Sequence, residues 1–461
     1  MKRFTILAVA LVALVVMAAP ALATDVTFKG TYRVRGYADS TPSLDERVTK
    51  TNSFMDQRFR LETVFTVNDI LSFTTRFDAL DDVMWGDQTG ASAPPNIDID
   101  RAWMTIKTDF GKFDVGRMQG GSWGTLFVDS ERDVERIKYT IKIGDFIGLA
   151  IMEKQAELDA LNPVGTQIAA GPVYGAVTPV RLNSDTDQET YYLAGVYKLE
   201  AFTGGLLVGY TNGKTRSDRM YSANPYDAKF WTVDPYFEYK IMDFTVSGEA
   251  MFRFGDAMEF DRKQFAANNN GIKDIDWDAY AWNLEGRYVV GPLSFQLGYA
   301  WMQGQGSDPN ATKVRTLGNL GIDWDKLWIL TCTEDPVLSG QLGYVGNING
   351  GAVGINGAKI IYLGAGFKPM ENVSMEVVYG NAKAESPIVA TWSADYGNEY
   401  DLKVVWNIYD NLSYTFIAAY LDSGDFWQQP IFAANPGQYA RAADVRMDDV
   451  YSLFNELQIT F

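Results

Sequence analysis

Apolar and polar residues alternate with a period of two through most of the chain after Thr24. Phe244, Val246, Gly248, Ala250, Phe252 and Phe254 fall on one side of a strand, opposite Thr245, Ser247, Glu249 and Arg253. Trp282, Leu284, Gly286, Tyr288 and Val290 oppose Asn283, Glu285 and Arg287, and Leu293, Phe295, Leu297, Tyr299 and Trp301 continue the pattern beyond Gly291-Pro292. Tyr400, Leu402, Val404, Trp406 and Ile408 oppose Asp401, Lys403 and Asn407. In the last segment Tyr451, Leu453, Leu457, Ile459 and Phe461 share a face broken only by Asn455. Ser452, Glu456, Gln458 and Thr460 take the other face, with Phe454 as the exception. Successive strand residues point to opposite sides, so each segment reads as a strand with one apolar and one polar face. A soluble sandwich and a membrane barrel both use such strands.

The connections separate the two. Tight turns fall at Asn68-Asp69, Asp109-Phe110-Gly111, Gly144-Asp145, Met242-Asp243, Gly291-Pro292, residues 369–372 and Asp410-Asn411. They alternate with long polar loops near 38–52, 81–96, 118–133, 156–187, 212–228, 257–275, 303–355, 383–395 and 422–447. Short turns on one rim and long loops on the other are the asymmetry of transmembrane β-barrels, with the turns periplasmic and the loops extracellular. The pattern predicts an all-β antiparallel barrel of about eighteen strands. The alternative is roughly sixteen, because 187–211 and 356–382 are glycine-rich and weakly patterned. A barrel this wide encloses water rather than a packed core. No Pro-rich linker or low-complexity tract divides the chain, so 24–461 reads as one domain.

The first residues change the picture only by adding export. Met1-Lys2-Arg3, an apolar stretch from Ile6 to Ala19, and Ala21-Leu22-Ala23 form a signal peptide over 1–23. The apolar run is shorter than the ~20 residues a spanning helix needs. Aromatics make up 14% of the chain and glycine reaches 42 residues, which suits barrel walls with interfacial girdles. The single cysteine, Cys332, excludes an internal disulfide and reads as a buried small side chain. Histidine is absent, which removes Ser-His-Asp, Cys-His and histidine-metal chemistry together. The net charge of −18, two units more negative once Lys2 and Arg3 leave, argues against nucleic acid as a partner.

Candidate chemistry concentrates on the polar faces of the first six strands. Lys29, Arg33 and Arg35 share one face, as do Arg58 and Arg60; Arg76 and then Arg136, Lys138 and Lys142 follow. Acids opposing them are few: Asp56, Glu62 and Asp78. An arginine facing lipid at mid-height costs about 2–4 kcal/mol, so these cations point into the lumen. There they either brace the wall or set ion preference, and one residue can serve both. Asp274, Asp276 and Asp278 alternate onto one edge, where three hard oxygens suit Ca²⁺, but neither EF-hand spacing nor a turn glycine supports such a site and a solvated acidic rim is the default reading. Asp98 and Asp100 alternate likewise, although that register conflicts with Arg101 facing inward. The loop 303–355 carries an apolar stretch from Trp324 to Leu330, which reads as structural packing against the barrel or a neighbouring subunit.

Phe110-Gly-Lys-Phe-Asp-Val-Gly-Arg117-Met-Gln-Gly120 resembles the Gly-x-x-x-x-Gly-Arg segment of Gram-negative general diffusion porins. That segment precedes a third loop folded into the pore. The resemblance implies a constriction in which Asp129, Glu131 and Asp133 face a cluster of Arg33, Arg35, Arg58, Arg60, Arg76 and Arg117. The Ser122-Trp123-Gly124 tip departs from the family pattern. The terminal strand resembles the closing strand of outer-membrane barrels, in which Phe461 would be read by the barrel-assembly machinery. Together these imply a passive porin in the cell outer membrane, without catalytic residue, metal or cofactor. Its partners would be lipid, lipopolysaccharide, small hydrophilic solutes and two further copies in a homotrimer. A substrate-specific channel for an oxyanion or sugar, and an adhesive or structural barrel with a plugged lumen, are the rival readings.

Topology is testable directly. In a Cys332→Ser background, a cysteine at Asn269 should react with an impermeant thiol reagent on intact cells, and one at Asn411 should not. Reaction at Asn411 alone inverts the orientation.

Overall fold

A computed structural model describes residues 25–40, 51–87, 97–129, 131–156, 187–213, 226–260, 273–307, 312–317, 321, 324–331, 356–387, 389–428 and 448–461. The expected signal segment 1–23, Asn269 and Cys332 lie outside these residues. The strands are β1 (Asp25–Asp39), β2 (Asn52–Thr66), β3 (Leu71–Met84), β4 (Ile97–Thr108), β5 (Gly111–Gly120) and β6 (Arg132–Ile143). Then come β7 (Phe146–Ala156), β8 (Gln188–Lys198), β9 (Phe202–Gly213), β10 (Tyr226–Ile241), β11 (Phe244–Phe260), β12 (Ile275–Val290) and β13 (Leu293–Met302). A two-residue β14 (Lys313–Val314) precedes β15 (Ala358–Met370), β16 (Val373–Lys383), β17 (Asp395–Tyr409), β18 (Leu412–Ser423) and β19 (Val450–Thr460).

β14 pairs in parallel with Asp276 and Trp277 of β12, beyond the end of the β12–β13 ladder at Ala281 and Met302. The other eighteen strands pair antiparallel with their neighbours, and β19 closes on β1 from Thr31 opposite Thr460 to Asp39 opposite Ser452. The count is eighteen, and the weakly patterned segments form β8, β9, β15 and β16. Tight turns join β2 to β3, β4 to β5 and so on around one rim. In three two-residue turns the first position has φ of 59° at Gly144, 55° at Gly291 and 53° at Met242. Glycine meets that demand freely; Met242 carries the steric cost of a left-handed side-chain residue. The turn Leu199–Ala201, with no glycine, proline or asparagine to announce it, is closed by the Leu199 N–H on the Phe202 carbonyl at 2.7 Å.

The outward faces are those the alternation marks. Phe252, Phe254, Trp282, Leu284, Phe295, Leu297, Tyr400 and Trp406 are exposed on the outside of the wall. The inner face is not uniform. From β12 to β19 its inward positions toward the long-loop rim are Ala279, Ala281, Ala300, Met302, Ala358, Ile360, Ala382, Ala419 and Leu421, all buried. With apolar residues on both faces, period-two alternation vanishes, which is why 356–382 reads weakly. These small inward side chains make room for a loop segment, residues 324–331, which packs against them inside the barrel. Trp324, Leu327, Ile329 and Leu330 are each at most 1% exposed. Full burial of such a side chain stabilises by about 1.5–3 kcal/mol. Phe454, the exception in the terminal strand, is inward because its ring meets Trp328 at 4.8 Å and Tyr37 at 5.3 Å.

At the β1–β19 seam Gly30 and Phe461 exchange backbone hydrogen bonds of 2.7 and 3.0 Å. The Phe461 ring lies over Gly30, where a Cβ would stand 2.3 Å from it. It also stacks on Phe59 at 6.4 Å. Phe461→Asp should reduce the folded, heat-modifiable form while export continues, and Gly30→Val should do so more mildly. Wild-type amounts of folded barrel in both variants would remove Phe461 from the closure of the seam.

Candidate permeation pathway

The inner wall of β1–β7 is a lattice of ion pairs. Asp56 accepts Nε and Nη2 of Arg35 at 2.9 and 2.7 Å, with both side chains 5% exposed. Arg60 donates to Asp78 at 2.7 Å and reaches Asp100 at 3.6 Å. Arg76 pairs with Asp100 at 3.0 Å and Asp133 at 3.4 Å, and Arg101 also binds Asp133. Arg58 lies 3.7 Å from Asp81 and Arg33 lies 3.9 Å from Glu456. Farther round, Glu153 takes Arg132 and Arg136 at 3.2 Å each, and Asp114 takes Lys112 and Lys138 at 3.0 and 3.5 Å.

Register explains the intercalation. Arg33 faces Arg58 and Arg76 faces Arg101 across their strand pairs, an unfavourable juxtaposition of like charges. Two bulges bring acids between them. Arg76 is opposite Arg101 but Phe77 is opposite Ile99, so Asp100 is an extra residue, and both it and Arg101 reach the ladder. That resolves the conflict between Asp100 and Arg101 in the alternation. Gln57 is opposite Val83 while Phe59 is opposite Ala79, with Leu80 at φ 61°, and this irregularity delivers Asp81 to Arg58.

The third loop, between β5 and β6, crosses the lumen to β10 and β11. Thr125 donates its N–H and its hydroxyl to Glu249, the latter at 2.7 Å, and Trp123 Nε1 donates to the Asp234 carbonyl at 3.0 Å. Gly124, at φ 70°, sits against the Glu249 carboxylate where a Cβ would be 2.4 Å away. Trp123 meets Tyr236 edge-on at 5.3 Å above Gly205. The Ser122-Trp123-Gly124 tip that departs from the family pattern is therefore the docking tip. Phe127, fully buried, packs on Trp324 at 5.4 Å, and its carbonyl accepts the Gly321 N–H at 2.6 Å. The two inward loops thus meet.

The 324–331 segment is held through its backbone. Thr331 N–H bonds the Leu327 carbonyl at 3.0 Å to close one helical turn. The first N–H groups of such a turn have no partner within it. Asp401 accepts the Trp328 N–H at 3.0 Å, and Glu399 accepts those of Ile329 and Leu330, the latter at 2.9 Å. Trp328 Nε1 donates to Ser452 at 3.1 Å, and Lys326 pairs with Glu285 at 2.7 Å. Glu249, Glu285 and Asp401, acids that alternation places on the lumen face, are all loop anchors.

The residues expected at a constriction divide accordingly. Arg33, Arg35, Arg58, Arg60 and Arg76 form one wall. Asp133 stands within that wall rather than across from it. Asp129 is turned into its own loop, accepting the Trp123 N–H at 2.7 Å, and Glu131 accepts Gln119 Nε2 at 2.6 Å. Arg117 is not brought to the ladder: it pairs with Glu135 at 2.6 Å, the two side chains 44% and 59% exposed. Asp78, Asp81, Asp100 and Arg101 complete the lattice; in the alternation the bulge at Asp100 shows only as its conflict with Arg101, and the irregularity that places Asp81 leaves no clear trace. Of the acids considered for Ca²⁺, Asp278 pairs with Lys313 at 2.8 Å and Asp274 accepts the Phe260 N–H at 3.1 Å. No three acidic side chains gather in a metal-binding arrangement among the described residues.

A profile of Gram-negative porins matches residues 10–319. The chain belongs to the Gram-negative porin family. Among solved structures, this porin is similar to OccK8 (OprE) of Pseudomonas aeruginosa at a TM-score of 0.52 and 13% identity, over 96% of this chain and 99% of that one. It is similar to OpdQ of the same organism at 0.51 and 11%, over 95% and 99%, and to OccD3 (OpdP) at 0.51 and 10%, over 96% and 92%. At these identities the likeness is one of fold. No curated protein sequence matches. The family and its fold make this porin a channel for small solutes in the cell outer membrane.

Loop anchoring yields a prediction. Glu399→Ala leaves two buried N–H groups without acceptors, at roughly 1–3 kcal/mol each. The 324–331 segment should then detach, raising single-channel conductance and exposing the loop to protease. Unchanged conductance and protection would mean that Glu399 does not hold it.

Proposed function

We propose that this porin is a passive, non-enzymatic channel through which small hydrophilic solutes and ions diffuse between the ion-pair lattice of β1–β7 and the third loop. The observation that carries this reading is the division of the lumen. Loops cover the apolar inner wall of β12–β19, while the charged wall stays partly solvated, with Arg60 27%, Lys138 25% and Arg132 41% exposed. The long-loop rim would be extracellular, beside lipopolysaccharide, and the short-turn rim periplasmic. The same reading expects a homotrimer, delivered by the barrel-assembly machinery through Phe461. Pairing makes the lattice nearly neutral, so preference among ions arises from small imbalances acting within a Debye length, about 8 Å at physiological salt. A plugged, structural barrel is the second reading, favoured by the depth to which 324–331 enters.

Planar bilayers separate them. The channel reading expects discrete conductance steps and a zero-current potential in a KCl gradient that follows the lattice. Asp78→Asn with Asp100→Asn removes both acids from Arg60, leaves Arg76 with Asp133 alone, and should move that potential toward anions. Neutralising Asp129, Glu131 and Asp133 together should do the same. Replacing Arg33, Arg35, Arg58 and Arg60 by Gln should move it toward cations, and all shifts should shrink at high salt. Normal conductance with an unmoved potential takes the lattice off the pathway; no conductance at all supports the plugged barrel.

A further inference from the structure

Strand cations on the outer side of the long-loop rim are matched by acids. Arg117 meets Glu135 at 2.6 Å, Lys229 meets Glu259 at 3.2 Å and Asp227 at 3.5 Å, and Lys154 is held by Asp187 and Glu189. One place departs from this balance. Lys359, second residue of β15, stands directly opposite Lys383, last residue of β16. Their neighbours Ala358, Ile360 and Ala382 are buried inward positions, so both lysines point outward. Directly opposite residues in an antiparallel pair have Cβ atoms about 4.5–5.5 Å apart, and like charges there repel. The relief on hand is slight. Glu385 reaches Lys359 at 3.9 Å and also accepts the Gly304 N–H at 3.0 Å. Asp395 faces Lys383 across an irregularity in the register, and no carboxylate among the described residues comes within 4 Å of that ammonium.

Below the two lysines the outward residues become an aliphatic strip between aromatic walls. Ile361 and Leu363 of β15 and Val377 of β16 are exposed there. On the β13 side Tyr299 and Trp301, opposite Ile361 and Lys359 in the register, pack against Trp282 at 5.4 Å and Tyr280 at 4.6 Å. On the β17 side Tyr379 packs against Tyr400 at 5.3 Å, and its hydroxyl donates to Asn398 at 3.0 Å. Lysine stems lie along apolar surface while their ammonium groups reach the headgroups, so the wall presents a cationic head above an apolar track. Its complement is an anion carried on hydrocarbon. The chain as a whole has a net charge of −18 and repels anionic lipid, which makes an unmatched lysine pair at this height the point of contact. We propose that Lys359 and Lys383 seat a phosphorylated lipid of the outer leaflet, of the lipid A class, with one phosphate between the two ammonium groups and an acyl chain along Ile361, Leu363 and Val377. Ammonium–phosphate hydrogen bonds are charge-assisted, and the phosphate removes the repulsion that register imposes. This inference rests on the long-loop rim being extracellular.

The test uses the purified full-length protein in detergent, with thermal unfolding followed at rising concentrations of lipid A. The wild-type transition should rise, because a ligand that binds only the folded barrel stabilises it. In Lys359→Gln with Lys383→Gln the apparent affinity should fall roughly thirtyfold, the scale of two lysines beside an anionic lipid. Lys359→Arg with Lys383→Arg keeps both charges and should retain most of it. Lipid A stripped of its phosphates should bind the wild type as weakly as intact lipid A binds the Gln variant, a comparison that needs no variant to fold. Inorganic phosphate should leave the transition where it is, since it lacks the chain. Intact lipid A binding no tighter than the stripped form, or an equal loss in Lys154→Gln with Lys229→Gln, overturns the seat, as does a shift with inorganic phosphate alone. A Gln variant that changes its oligomeric state while its lipid affinity holds makes this face a contact between copies, and overturns the seat too. None of these readouts uses current or orientation. Inverted thiol labelling on cells overturns the outer-leaflet source alone, and a barrel that passes no current defeats the channel reading alone.

Discussion

Everything in this molecule follows from the need to satisfy backbone hydrogen bonds in hydrocarbon. A strand in lipid has no water to bond, so the sheet must close on itself, and it does so where β19 meets β1. Closing eighteen strands fixes a perimeter too wide for side chains alone to fill. Loops that enter this space face the same accounting inside the barrel. Their N–H groups are met by wall carboxylates: Glu249 for the third loop, Glu399 and Asp401 for the 324–331 turn. The acids of the inner wall are thus used twice, as partners for arginines on β1–β7 and as caps for loop backbone elsewhere.

The sequence carries the wall clearly because lipid imposes period two on the outward faces, with few departures such as Asn455 in the closing strand. Strand direction, turn positions and the closing strand follow from that pattern and from turn residues with a steric reason to be there. It fails where the physical reason for alternation fails. Behind the 324–331 segment both faces are apolar, so β15 and β16 look irregular. At Leu199–Ala201 the chain turns on backbone bonds alone.

The pathway was legible only in part. Basic residues at alternate positions announce a cationic inner wall, and Arg33, Arg35, Arg58, Arg60 and Arg76 do share it. Their neutralisation is a property of register. Asp81 and Asp100 arrive through bulges, and Asp133 comes from the base of the third loop. Composition counts the acids but cannot say which strand edge a bulge will turn them toward. The depth of 324–331 was likewise hidden, since an apolar loop is consistent with either a barrel interior or a subunit neighbour.

Trp328 has a further consequence. Its backbone rests on Asp401 of β17, its indole on Ser452 and Phe454 of β19, and Phe454 in turn on Tyr37 of β1. The pocket for this one side chain is assembled from both flanks of the seam, and an unzipped barrel does not contain it. Docking of the loop is therefore a readout of completed closure: an open sheet leaves Trp324, Leu327 and Trp328 in water, where chaperones and proteases find them, and a closed one hides them.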